Sequence, residues 1–330
     1  MTKQKTITYC QAIYEAYDYL LHHFPDFIVI GQGLWSPWYV GNSMTGLEKK
    51  YGKDRIIDSP VAENATTAAA LGASLTGLRP MVVHPRMDFM VLATDAIVNQ
   101  VSKWQSMMGG GKKIPLTIRG IINRGGEQGA QHSQALHSWY GHIPGLKVVM
   151  PSSPLDARDL MIASVLSDDP VLYIDDRWCY DLEENYQKIS TSDLSMVRPL
   201  KLSSGKDLTL VGAGFTTYQC MQASKKLRSI GIHSDLFDLR IINPINCDKI
   251  IESVNMTQNL IVVDGGWKHY GLASEIIANV AESISNNQET VFHRISTKNA
   301  PAPSSAGLEK NYYIKIDDIV KKATEIIFKK

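Results

Sequence analysis

The sequence predicts an α/β protein built from two parallel-sheet domains, and three observations carry this. Short apolar runs such as Phe27-Ile28-Val29-Ile30 and Val171-Leu172-Tyr173-Ile174 alternate with stretches of helical period. Such runs suit strands buried inside a sheet covered on both faces. The alternation weakens over a polar stretch from Asp181 to about Lys206 and then resumes. A chain of 330 residues holds about two domains at roughly 150 residues each. The expected division is 1–190 for the first domain, 191–206 for a linker and 207–330 for the second.

The elements follow in order. Apolar residues at helical spacing from Thr8 to Phe24 predict a helix that Pro25-Asp26 stops. Phe27 to Ile30 is a strand ending at Gly31, and Ile56-Ile57 leads through Ser59-Pro60 to an Ala-rich helix from about Glu63 to Gly77. Met81 to His84 is a strand, and Asp88 to Met108 reads as one helix ended by Gly109-Gly110-Gly111. Leu116 to Ile118, Leu146 to Met150 and Val171 to Ile174 are strands, with a helix from Pro154 to Leu166 between the last two. The second domain reads as strands at Leu208 to Val211, Ser234 to Asp238 and Leu260 to Val263, with helices at Tyr218 to Ser229 and Leu272 to Ile284. Strands alternating with helices point to parallel sheets.

Composition excludes several classes. Lys and Arg number 34 and Asp and Glu 33, so the net charge of +1 offers no bulk attraction to nucleic acid. No apolar run approaches the roughly 18 residues of a membrane span, so no membrane role is expected. The start Met1-Thr2-Lys3-Gln4-Lys5 is basic, but polar residues follow it where a secretory leader needs an apolar core. Cys10, Cys179, Cys220 and Cys247 are scattered and form no CxxC pair, which predicts free thiols in a reducing cytoplasm.

Four features could carry chemistry. Glu63 opens the Ala-rich helix in Asp58-Ser59-Pro60-Val61-Ala62-Glu63, where the helix dipole alone would favour a carboxylate. The small residues behind it, among them Ala65, Ala68, Ala69 and Gly72, permit close helix packing, including packing across a subunit interface. Phe89 follows Asp88 at a helix start, where an aromatic is as a rule core. The loop from Gly125 to Gln134 holds three glycines and His132, a proton carrier near neutral pH. His137 and His142 follow at spacings of five, which is not the spacing of a metal-binding helix. Gly212-Ala213-Gly214 lacks the third glycine of a dinucleotide loop, since position 217 is Thr. Asp264 in Val263-Asp264-Gly265 lacks the preceding glycine of the Gly-Asp-Gly that opens a magnesium–diphosphate site.

Several of these motifs stand together, in order, in one known family. Arg55 to Glu63, Ala130-Gln131-His132-Ser133-Gln134, Trp139-Tyr140-Gly141-His142 with Pro144 to Val149, and Gly265-Gly266-Trp267 with Gly271 and Ala273 to Ile276 resemble the beta subunit of the thiamine-diphosphate-dependent 2-oxo acid dehydrogenase component E1, as in pyruvate dehydrogenase. The resemblance covers nearly the whole chain. It implies a pyrimidine-binding domain followed by a transketolase C-terminal-like domain. It implies an enzyme active only with an alpha-type subunit, in an α2β2 heterotetramer. Such an enzyme decarboxylates a 2-oxo acid such as pyruvate and passes the acyl unit to a lipoyl acyltransferase, E2.

The resemblance also assigns roles. Glu63 would bond the N1′ nitrogen of the thiamine diphosphate aminopyrimidine and so promote loss of the thiazolium C2 proton. Phe89 would stack on the aminopyrimidine, and His132 would move a proton during transfer to the acceptor. Mg²⁺ and the diphosphate would be held by the alpha subunit. A structural monovalent cation, K⁺, would lie near Ser164, Val165, Ser167 and Asp169, held largely through backbone carbonyls, with Ser167 standing where relatives carry Asp. Gln32-Gly33 replaces an acidic pair found in many relatives. Arg86-Met87-Asp88-Phe89 and the tail Ala300 to Ser305 resemble E1 beta-type proteins encoded with surface-polysaccharide genes. That likeness implies an alternative, a split transketolase-like or acyloin carboligase with a carbonyl or sugar acceptor.

Overall fold

The structure is a computed structural model and describes residues 5–284 and 289–328. Met1 to Gln4, the start read for a leader, lie outside the described residues. The chain forms two compact units, the first from residues 1–124 and 139–197 and the second from 125–138 and 198–330. The stretch 125–138, expected in the first domain, thus belongs to the second unit.

The elements up to residue 197 run β1 (Thr6–Thr8), α1 (Tyr9–His23), β2 (Phe27–Gly31), α2 (Leu47–Tyr51), β3 (Ile56–Asp58), α3 (Glu63–Leu75), β4 (Arg79–His84), α4 (Met87–Met90), α5 (Trp104–Met107), β5 (Thr117–Ile122), α6 (His137–Gly141), β6 (Lys147–Val149), α7 (Pro154–Leu166), β7 (Val171–Asp176) and β8 (Glu183–Asn185). Within the first unit the strand order is β6-β7-β5-β4-β2-β3, parallel throughout. β1 and β8 pair antiparallel beside it. α1 starts where Thr8 and Gln11 close a capping box, and it buries Tyr9, Ala12, Ile13, Ala16, Tyr17, Leu20 and Leu21 along one stripe. α7 starts at Ser153, whose hydroxyl accepts from the Asp156 N–H, with Pro154 in the first turn.

β5 and β7 are buried at every position, yet they carry Arg119 and Asp175 face to face. The five guanidinium N–H donors find Asp175 Oδ1 at 3.0 Å and Oδ2 at 2.8 Å, Ser43 Oγ at 3.0 Å, and the hydroxyls of Tyr17 at 3.3 Å and Tyr180 at 2.9 Å. A buried charge of this kind is tolerable only because every donor is satisfied.

The segment expected as one helix from Asp88 to Met108 is broken. α4 gives way to a 3₁₀ turn at Val91–Ala93, a π-helical stretch at Asp95–Val101, and then α5. Thr94 Oγ1 donates to Val91 O at 2.5 Å and Ser102 Oγ to Val98 O at 2.8 Å. Hydroxyls that compete for helix carbonyls loosen the regular turn, and wide turns are common near functional sites.

The second unit holds β9 (Leu200–Ser203), β10 (Leu208–Gly212), α8 (Phe215–Ser229), β11 (Ser234–Asp238), β12 (Ile241–Asn243), α9 (Asp248–Thr257), β13 (Asn259–Trp267), α10 (Leu272–Ser283), β14 (Val291–Thr297), α11 (Ala306–Glu309) and α12 (Ile316–Phe328). Its sheet order is β14-β13-β10-β11-β9, parallel except for β9. β9 falls in the stretch expected as linker. Its Lys201 Nζ lies 2.7 Å from Asp235 Oδ2, and the Gly205 N–H donates to Oδ1 at 2.8 Å. The core gathers Leu208, Leu210, Leu227, Leu236 and Ile261, closed over by Ile319 and Ala323 of α12.

Candidate active site

In parallel sheets, ligands gather beyond the carboxyl ends of the strands. In the first unit that edge carries Glu63 after β3 and Phe89 after β4. Asp58 at the end of β3 is spent on structure, since its Oδ1 accepts from the N–H groups of Gly33 at 2.6 Å and Leu34 at 3.2 Å. Those bonds shape the turn at Gln32-Gly33. Gln32 Nε2 donates to the Tyr39 hydroxyl, and Gly33 sits at φ +70° with the Tyr39 ring where a Cβ would be. Only glycine fits there.

Glu63 is the first residue of α3 and half-buried. Among the described residues nothing bonds or pairs with its carboxylate. Its backbone carbonyl accepts from Thr66 Oγ1 at 3.1 Å and Thr67 Oγ1 at 2.8 Å. With the Thr67 proton directed there, His84 Nε2–H is the donor in its 3.2 Å contact with Thr67 Oγ1. Burial pushes His84 down to about 4, so it is neutral at physiological pH. Phe89 is 36% exposed, so part of its ring is open to contact from outside the chain. A carboxyl with unspent oxygens and an exposed ring on the same sheet edge fit the aminopyrimidine of thiamine diphosphate.

His132 lies in the second unit, half-buried at the end of a 3₁₀ turn, Ala130–His132. The loop before it runs through left-handed conformations at Gly125, Gly126, Glu127 and Gly129, which explains its glycines. Within the second unit the loop is anchored on both sides. Glu127 Oε1 accepts from the Ala306 N–H at 2.8 Å, and the Glu127 N–H donates to Glu309 Oε2 at 3.1 Å. On the other side His137 Nε2 is 2.8 Å from Asp264 Oδ1, both buried, and the Leu272 N–H donates to Ser138 Oγ at 3.0 Å. Burial alone would raise the Asp264 carboxyl. His137 and the N–H groups of Gly266 and Ala273 outweigh it and hold the group below the usual carboxylate range. Sequence reasoning passed over this pair because it tested His137 and Asp264 only as metal ligands. Their separation of 127 residues leaves no local signal.

The positions expected to hold a monovalent cation do not fit one. Arg79 Nη1 donates to Val165 O at 3.1 Å and Ser167 O at 3.2 Å. Ser164 O accepts from the Ser167 N–H at 3.3 Å, and the Asp169 carboxylate pairs with Lys147 at 2.7 Å. No group of three or more His, Cys, Asp or Glu able to hold a metal occurs among the described residues. A basic cavity of about 790 Å³ in the second unit is lined by Lys268, Arg294, Lys298, Lys315, Lys321 and Lys322, among others. None of the candidate residues lines it.

Residues 5–177 match the family described as "Transketolase, pyrimidine binding domain", and residues 199–319 match "Transketolase, C-terminal domain". The chain is 34% identical over 315 residues to the acetoin:2,6-dichlorophenolindophenol oxidoreductase subunit beta of Cupriavidus necator, covering 91% of each chain. It is 30% identical over 328 residues to the pyruvate dehydrogenase E1 component subunit beta of Rhizobium meliloti, covering 99% of this chain and 71% of the relative. Among solved structures, a split-gene transketolase described as an inactive beta4 tetramer shares the fold, with a TM-score of 0.78 over 98% of each chain at 18% identity. Both halves of the sequence and both sheets thus place this chain in the transketolase-like family of thiamine-diphosphate-dependent E1 beta subunits.

Proposed function

We propose that the chain is the beta half of an E1 enzyme that decarboxylates a small 2-oxo acid and transfers the acyl unit to a lipoyl acceptor. The observation that carries this is the unspent Glu63 carboxylate beside exposed Phe89, in a chain that belongs to this family. When bound, thiamine diphosphate supplies the electron sink for decarboxylation. Glu63 holds a proton at the aminopyrimidine N1′, and Phe89 covers the ring face and excludes water. The His132 imidazole moves a proton when the acyl unit leaves for the acceptor. The substrate loses its carboxylate as CO₂. The lipoyl disulfide is the oxidant, opening to an S-acyl dihydrolipoyl thiol.

An alpha-type partner completes the site. Asp264 is committed to His137 and two backbone N–H groups, so it is not free to bind Mg²⁺. The Mg²⁺–diphosphate end of the cofactor therefore belongs to the partner, in an α2β2 assembly. The exposed face of α3, with Ala65, Ala68, Ala69 and Gly72, together with exposed Val61 and Leu92, suits close docking of such a chain. No helix among the described residues is long and apolar enough to cross a membrane, and none of the four cysteines is in a disulfide. The curated relatives above do not favour the carboligase alternative, and the split-gene transketolase shares the fold alone.

The test uses the chain reconstituted with its alpha partner. Glu63→Gln keeps the shape but not the acid, so decarboxylation read with ferricyanide should fall at least about 100-fold with the unfolding midpoint unchanged. Wild-type turnover in Glu63→Gln returns this residue to a dipole-capping role.

A further inference from the structure

The turn after α7 is where the family resemblance puts a monovalent cation, and Arg79 already fills it. The last carbonyls of a helix lack intrahelical partners and carry partial negative charge, so a cation is favoured beside them. Arg79, the first residue of β4, reaches this place from the neighbouring strand. Its Nη1 bonds Val165 O at 3.1 Å and Ser167 O at 3.2 Å, and its Nη2 bonds Asp168 Oδ1 at 3.1 Å. Its Nε lies 3.7 Å from Asp26 Oδ2. Lys113 Nζ sits 2.5 Å from Asp168 Oδ2, and Lys147 Nζ 2.7 Å from Asp169 Oδ2. Arg79 is thus the cation at the carbonyls, while Lys113 and Lys147 hold the two carboxylates of the turn.

We propose that Arg79 replaces the structural monovalent metal in this chain, leaving the α7–β7 turn independent of K⁺. A guanidinium carries the same single charge, never loses it at physiological pH, and binds several oxygens at once in a fixed fork. A metal ion at the same carbonyls would have to share both oxygens with the guanidinium and lie against its positive charge. The inference stands on the contacts of Arg79 and does not depend on the catalytic roles proposed above.

The test is thermal unfolding of the full-length chain at matched ionic strength in KCl, NaCl and tetramethylammonium chloride. The wild type is expected to show the same midpoint in all three to within about 1 °C. A saturable rise specific to K⁺ overturns the proposal. Arg79→Ala is expected to unfold lower and to recover in part with K⁺ or with low-millimolar guanidinium. If it unfolds equally low in every salt, the site has no metal affinity to be replaced, and the proposal fails. If it unfolds like the wild type, Arg79 contributes nothing, and the proposal also fails. Should Arg79→Ala not fold, wild-type crystals soaked in Tl⁺, a K⁺ surrogate, decide the matter. No anomalous peak is expected at the carbonyls of Val165 and Ser167, and a peak there overturns the replacement.

Discussion

His84 sits one residue type away from an ordinary apolar strand end, and its burial converts that choice into a pH dependence. Its pKa falls from 6.5 to about 4 because burial penalises the imidazolium. Below pH 6.5 the unfolded chain takes up a proton that the folded chain refuses, so stability drops as pH falls and the loss levels off below about 4. Over the interval from pH 6.5 to 5 the cost is about 2 kcal/mol. Replacing His84 with Gln should flatten this limb of the unfolding midpoint measured against pH. An unchanged acid slope in His84→Gln would show that other groups carry it. Glu63 and Phe89 were proposed from the family resemblance, Glu63 within the run Arg55 to Glu63. His84 was read only as the end of a strand, since its contact with Thr67 depends on how β4 meets α3. Arg119 was invisible for the same reason, because nothing near it in sequence announces Asp175, Tyr17 or Tyr180.

At the scale of elements, most strands stand where apolar runs placed them, because a strand buried on both faces must be apolar along its length. The long helix after Asp88 was misread since its spacing is helical, while Thr94 and Ser102 turn their hydroxyls onto helix carbonyls. β14 and α12 went unread, although Ile319 and Ala323 of α12 help to close the second core. The loop bearing His132 is the element with most at stake. It is built from left-handed residues that have no ladder of their own, so its position depends on the His137–Asp264 and Glu127 anchors. Loss of one charged hydrogen bond is worth about 1.5–3 kcal/mol. Asp264→Asn should therefore speed amide hydrogen exchange between residues 125 and 138 by about 10- to 100-fold, with β10 protection kept. Faster exchange throughout the second unit would instead make Asp264 a general support of the fold.

At the scale of the molecule, the division into two sheets was legible from the fading of the strand–helix alternation, but its boundary was not. Polar composition marked 191–206 as linker, while the pairing of Lys201 with Asp235 draws β9 into the second sheet. Residues 125–138 join that unit through bonds to Asp264, Leu272, Ala306 and Glu309, all more than a hundred residues away in sequence. What the folded chain still lacks points outward. It offers a carboxylate and a ring for one end of a cofactor, and no acidic cluster among the described residues for the Mg²⁺–diphosphate end. The proposed function assigns the remaining binding energy to an alpha-type partner. Calorimetry on this chain alone should show no tight, Mg²⁺-dependent binding of thiamine diphosphate, and addition of the alpha partner should restore it. Tight binding by the isolated chain would place the diphosphate site here and remove the need for a partner. The exposed Ala and Gly face of α3 is the part of the surface where a bulky charge would most directly block that partner. Ala68 is exposed in this chain, so Ala68→Arg should leave the unfolding midpoint nearly unchanged. Burying an unpaired guanidinium in a close helix contact should weaken assembly at least about 100-fold. Light scattering would then find free chains where the wild type forms a tetramer. A tetramer of wild-type stability in Ala68→Arg would move the alpha interface off α3.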